Sequence, residues 1–453
     1  MKRAIFTILF LFTISSLFAA FNMFGIPDSS EIRRNLEEKW FTAPLSEIRS
    51  YMPEVFTNEN GEKFQVRLEE DEYTFNVFVA PHTVINVHVV SDKEDYYEKQ
   101  DVYPGDYSGS WVLIRDKKSE KPLRIRYYFM KDSGVFIQFT PNGKTALADL
   151  VIYGNYAARG VPTGMPFDKF FSASFADVMD ITETKLPWKY VKIDTDMYHS
   201  MKQMCAVIDE KLPEIQIVPD AMYDENDELV YISTGKKLVV ENQDKNSSKI
   251  SLSSAGFIKW IADGLVEPMS HALIKREPLI RETVEVKDIG RQGILSQKYS
   301  LYFALDWIRN LASAVISAYS DSTYLFNQSG VDVTISPFAS SITEKGVANT
   351  VTFVSNSGYT TSVLRSLMYV LAATEPGTLY FGAIRGTDRT VSPEIMAFNE
   401  CAAFFPYFED DGGFNCYVYI NGKKKTLEDF CMYYSGDFVY LTKVKSSEQF
   451  FPK

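Results

Sequence analysis

The chain has 453 residues, 45% hydrophobic and 23% charged, which gives it the length for two or three domains and the composition of a folded protein, not a disordered one. Its formal net charge is −12, from 47 lysines and arginines against 59 aspartates and glutamates. No Lys/Arg cluster offsets that balance, and the reading therefore excludes a nucleic-acid partner.

The first predicted element is an export signal over residues 1–20. Lys2 and Arg3 form a positive start, residues 4–18 an apolar run, and Ala19-Ala20 a small-residue cleavage zone. The mature protein is expected to be periplasmic or secreted. The apolar run is nearly long enough to span a bilayer, so an uncleaved signal segment is the one membrane attachment expected. Residues 21–62 read as a lead-in, a helix pair or an extended segment that carries Leu36, Trp40, Phe41 and Ile48 among charges.

From Lys63 the hydrophobic period becomes two. Seven strands are predicted: FQVRLEE, YTFNVFVAP, VINVHVV, SWVLIRD, LRIRYYFM, VFIQFTP and ALADLVIYG. Turn clusters such as DKKSEKP, KDSG and PNGK separate them. The pattern predicts an antiparallel β-sandwich over residues 63–160, of ordinary domain size and able to fold alone. His82 and His88 lie in it without carboxylates at ligand spacing. Neither a metal nor a cofactor is expected.

GVPTG at 160–164 marks the passage to an α+β domain, residues 161–453. Helices are predicted at 170–179 and 197–212, short strands within 215–240, and a polar loop at 241–249. SLSSAGFIKWIADG follows at 251–264. Ser253 or Ser254 can cap a helix here, since a serine oxygen accepts from a first-turn amide that has no other partner. Phe257, Ile258, Ile261, Ala262 and Leu265 then share one helical face, and Pro268 is expected to end the run.

The strongest predicted helix covers 299–320. Asp306, Arg309, Asn310, Ser313 and Ser317 make a polar stripe on it. The stripe is either an Asp306–Arg309 ion pair that fastens the helix to a neighbour or the lining of a polar cleft. A helix at 361–374 ends at Glu375-Pro376-Gly377, and the strands TLYFGAI, CAAFFPYF, FNCYVYI and DFVYLTKV follow, with a type I′ hairpin at Asn421-Gly422 expected between two of these segments. Cys205, Cys401, Cys416 and Cys431 include no C-x-x-C, so no zinc or redox motif is present; a cross-strand disulfide and buried free thiols both stay open.

Ser253-Ser254-Ala255-Gly256-Phe257-Ile258 resembles the D-C-S-G-F-V nucleophile helix of NlpC-type cell-wall peptidases, a branch of the papain-like superfamily. Pro376-Gly377-Thr378-Leu379-Tyr380-Phe381 is similar to that family's P-G-D-L-V-F-F segment, and residues 399–405 or 415–422 look like the strand that carries its histidine. The resemblance spans about residues 229–444, with a helical insertion at about 299–374. It implies a papain-like helix-plus-antiparallel-sheet domain after the sandwich, a nucleophile position at Ser254 and a base position at Asn399, Glu400 or Asn415.

The departures fall on the chemistry. Serine replaces the family's cysteine and aspartate, and no histidine follows His271. A serine hydroxyl without an adjacent base is a poor nucleophile, asparagine cannot accept its proton, and a carboxylate can do so only with a raised pKa. The resemblance therefore implies a non-catalytic exported protein that binds a peptide, glycan or protein partner, peptidoglycan or an envelope protein among them. The alternatives are a cell-wall peptide hydrolase using Ser254 with Glu400 or His271, and a structural envelope protein unrelated to peptidases. Ser254 is expected to be a helix cap.

Overall fold

The change of hydrophobic period at Lys63 marks the second strand of the first sheet, a sheet that begins at Glu54. The computed structural model describes residues 25–89, 96–239, 249–284, 301–320, 322–343, 346–348, 353–388 and 394–453. The expected export signal lies outside them, as does most of the predicted loop at 241–249. In the N-terminal half the strands are β1 (Glu54–Thr57), β2 (Lys63–Glu70), β3 (Thr74–Pro81), β4 (Thr83–Val89), β5 (Tyr96–Val102), β6 (Trp111–Asp116), β7 (Pro122–Tyr127), β8 (Val135–Asn142), β9 (Thr145–Ile152) and β10 (Asn155–Pro162). Strands β4 and β5 form a separate hairpin; the others join in one antiparallel sheet in the order β1-β2-β3-β6-β7-β8-β9-β10.

Alternation sends Phe64, Val66, Val77, Trp111, Ile125 and Phe139 into the core. In a sandwich a second sheet would cover that face; here helices cover it. Helix α1 (Ser30–Leu36), the turn bearing Trp40 and Phe41, the short helix Lys169–Ser172 and α2 (Phe175–Thr182) supply the apolar surface. Phe41 meets Trp111 at 4.6 Å between ring centroids, and Phe170 stacks on Phe139 at 3.8 Å. Each such aromatic contributes roughly 1.5–3 kcal/mol by leaving water. The span expected to fold alone thus takes its cover from residues on both sides of it.

The second sheet is built from β11 (Tyr359–Thr360), β12 (Thr378–Asp388), β13 (Ile395–Phe408), β14 (Phe414–Ile420), β15 (Lys423–Thr426) and β16 (Phe438–Lys445). It is antiparallel throughout, in the order β11-β16-β12-β13-β14-β15. Along β13, Cys401, Ala403 and Phe405 pack to one face while Ala402 and Phe404 pack to the other. The first face carries α3 (His199–Lys211), α4 (Ser254–Ser270) and α5 (Phe303–Ser320); the second carries α6 (Leu364–Thr374) and α7 (Leu427–Tyr433). The chain is therefore α+β, with two large antiparallel sheets among the described residues. Asn421 (φ 50°) and Gly422 (φ 64°) make the expected turn, from β14 into the unpredicted strand β15.

Helix α4 does not stop at Pro268 but runs on to Ser270, where His271 closes it in the left-handed region at φ 53°. Proline lacks the N–H that would bond the carbonyl four residues back. That carbonyl, Gly264 O, instead accepts from Phe451 N at 3.0 Å. The approach requires glycine, because a Cβ at 264 would lie 2.8 Å from the Phe450 ring and 2.9 Å from Pro452 N. Gly256 is under the same constraint, with Ala221 O standing 2.2 Å from where its Cβ would be. All four cysteines are free thiols, and burial pushes Cys205 up to about 12.

Candidate functional site

Ser253 caps α4, its Oγ accepting from Gly256 N at 3.1 Å. Ser254 is therefore not the cap. Its hydroxyl donates to Cys401 O (3.1 Å) and accepts from Cys401 N (3.0 Å). The reason lies in the ladder: β14 pairs with β13 only from Ala403 to Phe408. At Cys401 the Ser254 hydroxyl does what a further strand residue would have done, and it fastens the start of α4 to the sheet.

The base positions do not come to Ser254. The register of β12 against β13 shifts between Ile384 and Arg385, which leaves Asn399 in a bulge before Glu400. Glu400 Oε2 accepts from Tyr434 OH (2.7 Å) and Asn421 Nδ2 (3.1 Å), next to α7 on the sheet face opposite α4. Asn399 and Glu400 line a polar cleft of about 420 Å³ with Tyr433, Tyr434 and Asp437. Burial first, and the Glu400 carboxylate second, hold the Tyr434 hydroxyl in its protonated form by raising its pKa. Asn415 is bonded to Tyr407 OH at 3.0 Å, away from Ser254. His271 is at the far end of the 17-residue helix α4, about 25 Å along its axis from the serine. The pairing of Ser254 with Glu400 or His271 is thus not formed.

The stripe on α5 divides three ways. Asp306 accepts from Thr283 N (2.8 Å) and Thr283 Oγ1 (2.6 Å). Burial raises its pKa, against those bonds and Arg309. Arg309 pairs not with Asp306 but with Asp332 at 3.2 Å. Its guanidinium also donates to Tyr440 OH (2.7 Å) and lies over the rings of Phe326 and Tyr440. Asp332 lies on the segment after α5, close to β16, so the pair fastens helix to sheet as the ion-pair reading expects, with a different partner.

Asn310, Ser313 and Ser317 line a cleft of about 390 Å³ between the end of α4 and α5. Its walls are largely apolar, Val266, Ile274, Ala314 and Phe326 among them, and its other side is the segment 272–281. Sequence reasoning found the α5 side of this cleft from the stripe. It missed the side formed by residues 272–281 and 323–326, which have no period, and it missed Tyr433 and Tyr434 because α7 was not predicted.

Among the described residues no cluster of His, Cys, Asp and Glu is placed to hold a metal ion, and no helix is long and apolar enough to cross a membrane. Asp306 lines a further cleft of about 430 Å³ with Asp220, Leu279 and Phe303. Among the described residues the Ser254 hydroxyl is bonded to the Cys401 backbone and to no side chain.

Comparison with known families finds a domain of unknown function (DUF8515) whose profile matches residues 22–190. That span holds the first sheet with the helices that cover it, and it ends before these clefts. No curated protein matches the chain, and no solved structure matches it.

Proposed function

We propose that this is an exported, non-catalytic binding protein whose C-terminal sheet and helices keep a papain-like layout and hold a peptide or glycan in the cleft at Glu400. One observation carries the reading: the Ser254 hydroxyl donates a hydrogen bond to Cys401 O and accepts one from Cys401 N, with no base bonded to it among the described residues. The layout is supported by a capped helix packed on an antiparallel sheet and by Gly377 at φ 67°, which turns the chain into β12.

The cleft offers what a sugar or peptide needs. Glu400 and Asn399 provide polar contacts, and the Tyr433 ring, 71% exposed, can lie against a flat apolar surface of the ligand. Calorimetric titration of soluble peptidoglycan fragments tests the reading. The expected result is saturable binding that Tyr433→Ala weakens about tenfold, an aromatic contact being worth on the order of 1–2 kcal/mol. Consumption of the fragment would make the protein a hydrolase, and absence of binding would leave a structural envelope protein.

A further inference from the structure

The cleft between α4 and α5 differs in kind from the one at Glu400. The serine hydroxyls in its lining are already engaged. Ser313 Oγ donates to Arg309 O (2.7 Å) and meets Ser329 Oγ (2.8 Å); Ser317 Oγ donates to Ser313 O (2.7 Å) and accepts from Tyr324 N (2.9 Å). Ser270 Oγ is likewise bonded to Val266 O at 3.1 Å. Asn310 Nδ2 bonds Leu279 O and Arg281 O. With these donors satisfied within the protein, the wall a ligand meets is that of Val266, Leu273, Ile274, Ala314, Leu325 and Phe326. Leu325 is 52% exposed at the rim, which leaves apolar surface in water that a ligand would cover.

Two cations stand in the lining of this apolar cleft, Lys275 and Arg281. Both are exposed, and neither side chain has a hydrogen bond or ion pair among the described residues. Some exposed cations elsewhere find carboxylates, as Lys39 does with Glu54 and Arg49 with Glu70, while others such as Lys63 and Lys144 do not among the described residues. What sets Lys275 and Arg281 apart is that they stand together in the lining of an apolar cleft, in a chain that carries −12 as a whole. Unpaired positive charge at the edge of an apolar cleft complements one kind of small molecule.

We infer that this cleft binds a single-chain amphiphile with an anionic head, a long-chain fatty carboxylate, with the hydrocarbon along Ile274, Ala314 and Phe326 and the carboxylate at Lys275 and Arg281. A volume of about 390 Å³ lies within the roughly 300–1,000 Å³ of small-molecule sites. The hydrocarbon supplies most of the binding free energy by leaving water, in proportion to the methylenes buried. The two cations select the charge of the head through charge-assisted hydrogen bonds. Arg309 lies beneath the cleft against Phe326, bound to Asp332 and Tyr440, and its charge is already met. The inference is independent of the reading of the Glu400 cleft, which uses the opposite face of the second sheet.

The test is fluorescence titration of the full-length protein with a dansyl-labelled undecanoate, followed by displacement with palmitate or with uncharged hexadecanol. Lys275→Ala/Arg281→Ala is the head-group variant, and its substitutions lie on exposed side chains that leave the core intact. The expected result is saturable enhancement reversed by palmitate, with palmitate weakened about tenfold or more in the variant and hexadecanol binding the same to both proteins. Ala314→Phe, which fills the cleft, is expected to remove binding of both while its melting curve stays cooperative. No enhancement with the wild type, or equal affinity for palmitate in wild type and double variant, would overturn the inference. Binding of peptidoglycan fragments, titrated on the same samples, is expected to be unchanged in the double variant, so that failure at one cleft is told apart from failure at the other.

Discussion

In the N-terminal half the most deeply buried cation among the described residues is Arg33, whose guanidinium reaches Phe171 O (3.2 Å), Ala173 O (2.5 Å) and Ser29 Oγ (2.6 Å), with Asp28 3.6 Å away. In the C-terminal half it is Lys259, whose ammonium meets Asp263 Oδ2 at 2.6 Å, one turn along α4. Asp263 Oδ1 in turn accepts from Ile274 N at 2.8 Å. The arginine fork ties together segments some 140 residues apart in sequence, whereas the lysine pair is local to one helix. The first half is closed by ties from outside its strands. The second is organised around one helix, and that helix is fastened at its start by Ser254 and near its end by Gly264.

The largest effect should come from cutting the first half at its strands. A fragment of residues 63–155 lacks Trp40, Phe41, Phe170 and Phe175, so one face of its sheet is bare. It should show no cooperative thermal transition, while residues 22–190, the span that the family profile matches, should melt cooperatively. A sharp transition in the shorter fragment would show that the sheet does not need its helices.

In the second half the corresponding break is Asp263→Ala. It leaves Lys259, only 1% exposed, with a buried charge and no carboxylate, and should cost about 3–5 kcal/mol in urea unfolding. Replacing both, Lys259→Met with Asp263→Leu, should recover more than half of that, since no charge is then left buried. Equal losses in single and double variants would mean that the pair does not act as a unit.

A smaller loss is expected at Gly264→Ala. The new methyl meets the Phe450 ring and Pro452, which should cost about 1–3 kcal/mol. The carbonyl that Pro268 leaves free would lose its bond from Phe451, and hydrogen exchange at that amide should rise with it.

The smallest effect belongs to the surface of the first sheet. Hydrogen bonds from Arg49 and then Lys117 lower Glu70 from 4.5 to about 2. The folded state thus favours the carboxylate, and the stability this gives is present above about pH 4.5 and is lost as pH falls toward 2. Glu70→Gln should lower the melting point slightly at pH 7, by well under about 1 kcal/mol as surface pairs do, with the difference closing at pH 2. A difference that persisted there would point to packing, not charge.

Much of the fold could be read from local pattern. The alternation in FQVRLEE and VFIQFTP, the apolar face of α4 and the Asn421-Gly422 turn are short-range signals, and each produced its element. Strand β5, YYEKQDV, escaped because all but its last residue is exposed and nothing alternates. Strand β10 escaped because Gly160 and two register shifts interrupt it. What no period could show is which distant groups meet: that helices close the first sheet, that Phe451 supplies the bond missing at Pro268, and that Arg309 finds Asp332. The site was legible in the same measure. Ser254 stands at a helix start beside the strand of Glu400, as the motif order implies, but the face to which Glu400 turns depends on a bulge that the sequence does not mark.

Release of peptides from purified peptidoglycan fragments by the full-length protein, wild type and Ser254→Ala in parallel with their melting curves, tests the central claim most directly. With Ser254 a fastener of helix to strand, neither protein should release product above the blank. The variant should melt earlier, by on the order of 1–2 kcal/mol, because Cys401 loses a hydrogen-bond partner for both its N–H and its carbonyl. Wild-type release that disappears in Ser254→Ala, with melting unchanged, would contradict the account and make the serine a nucleophile.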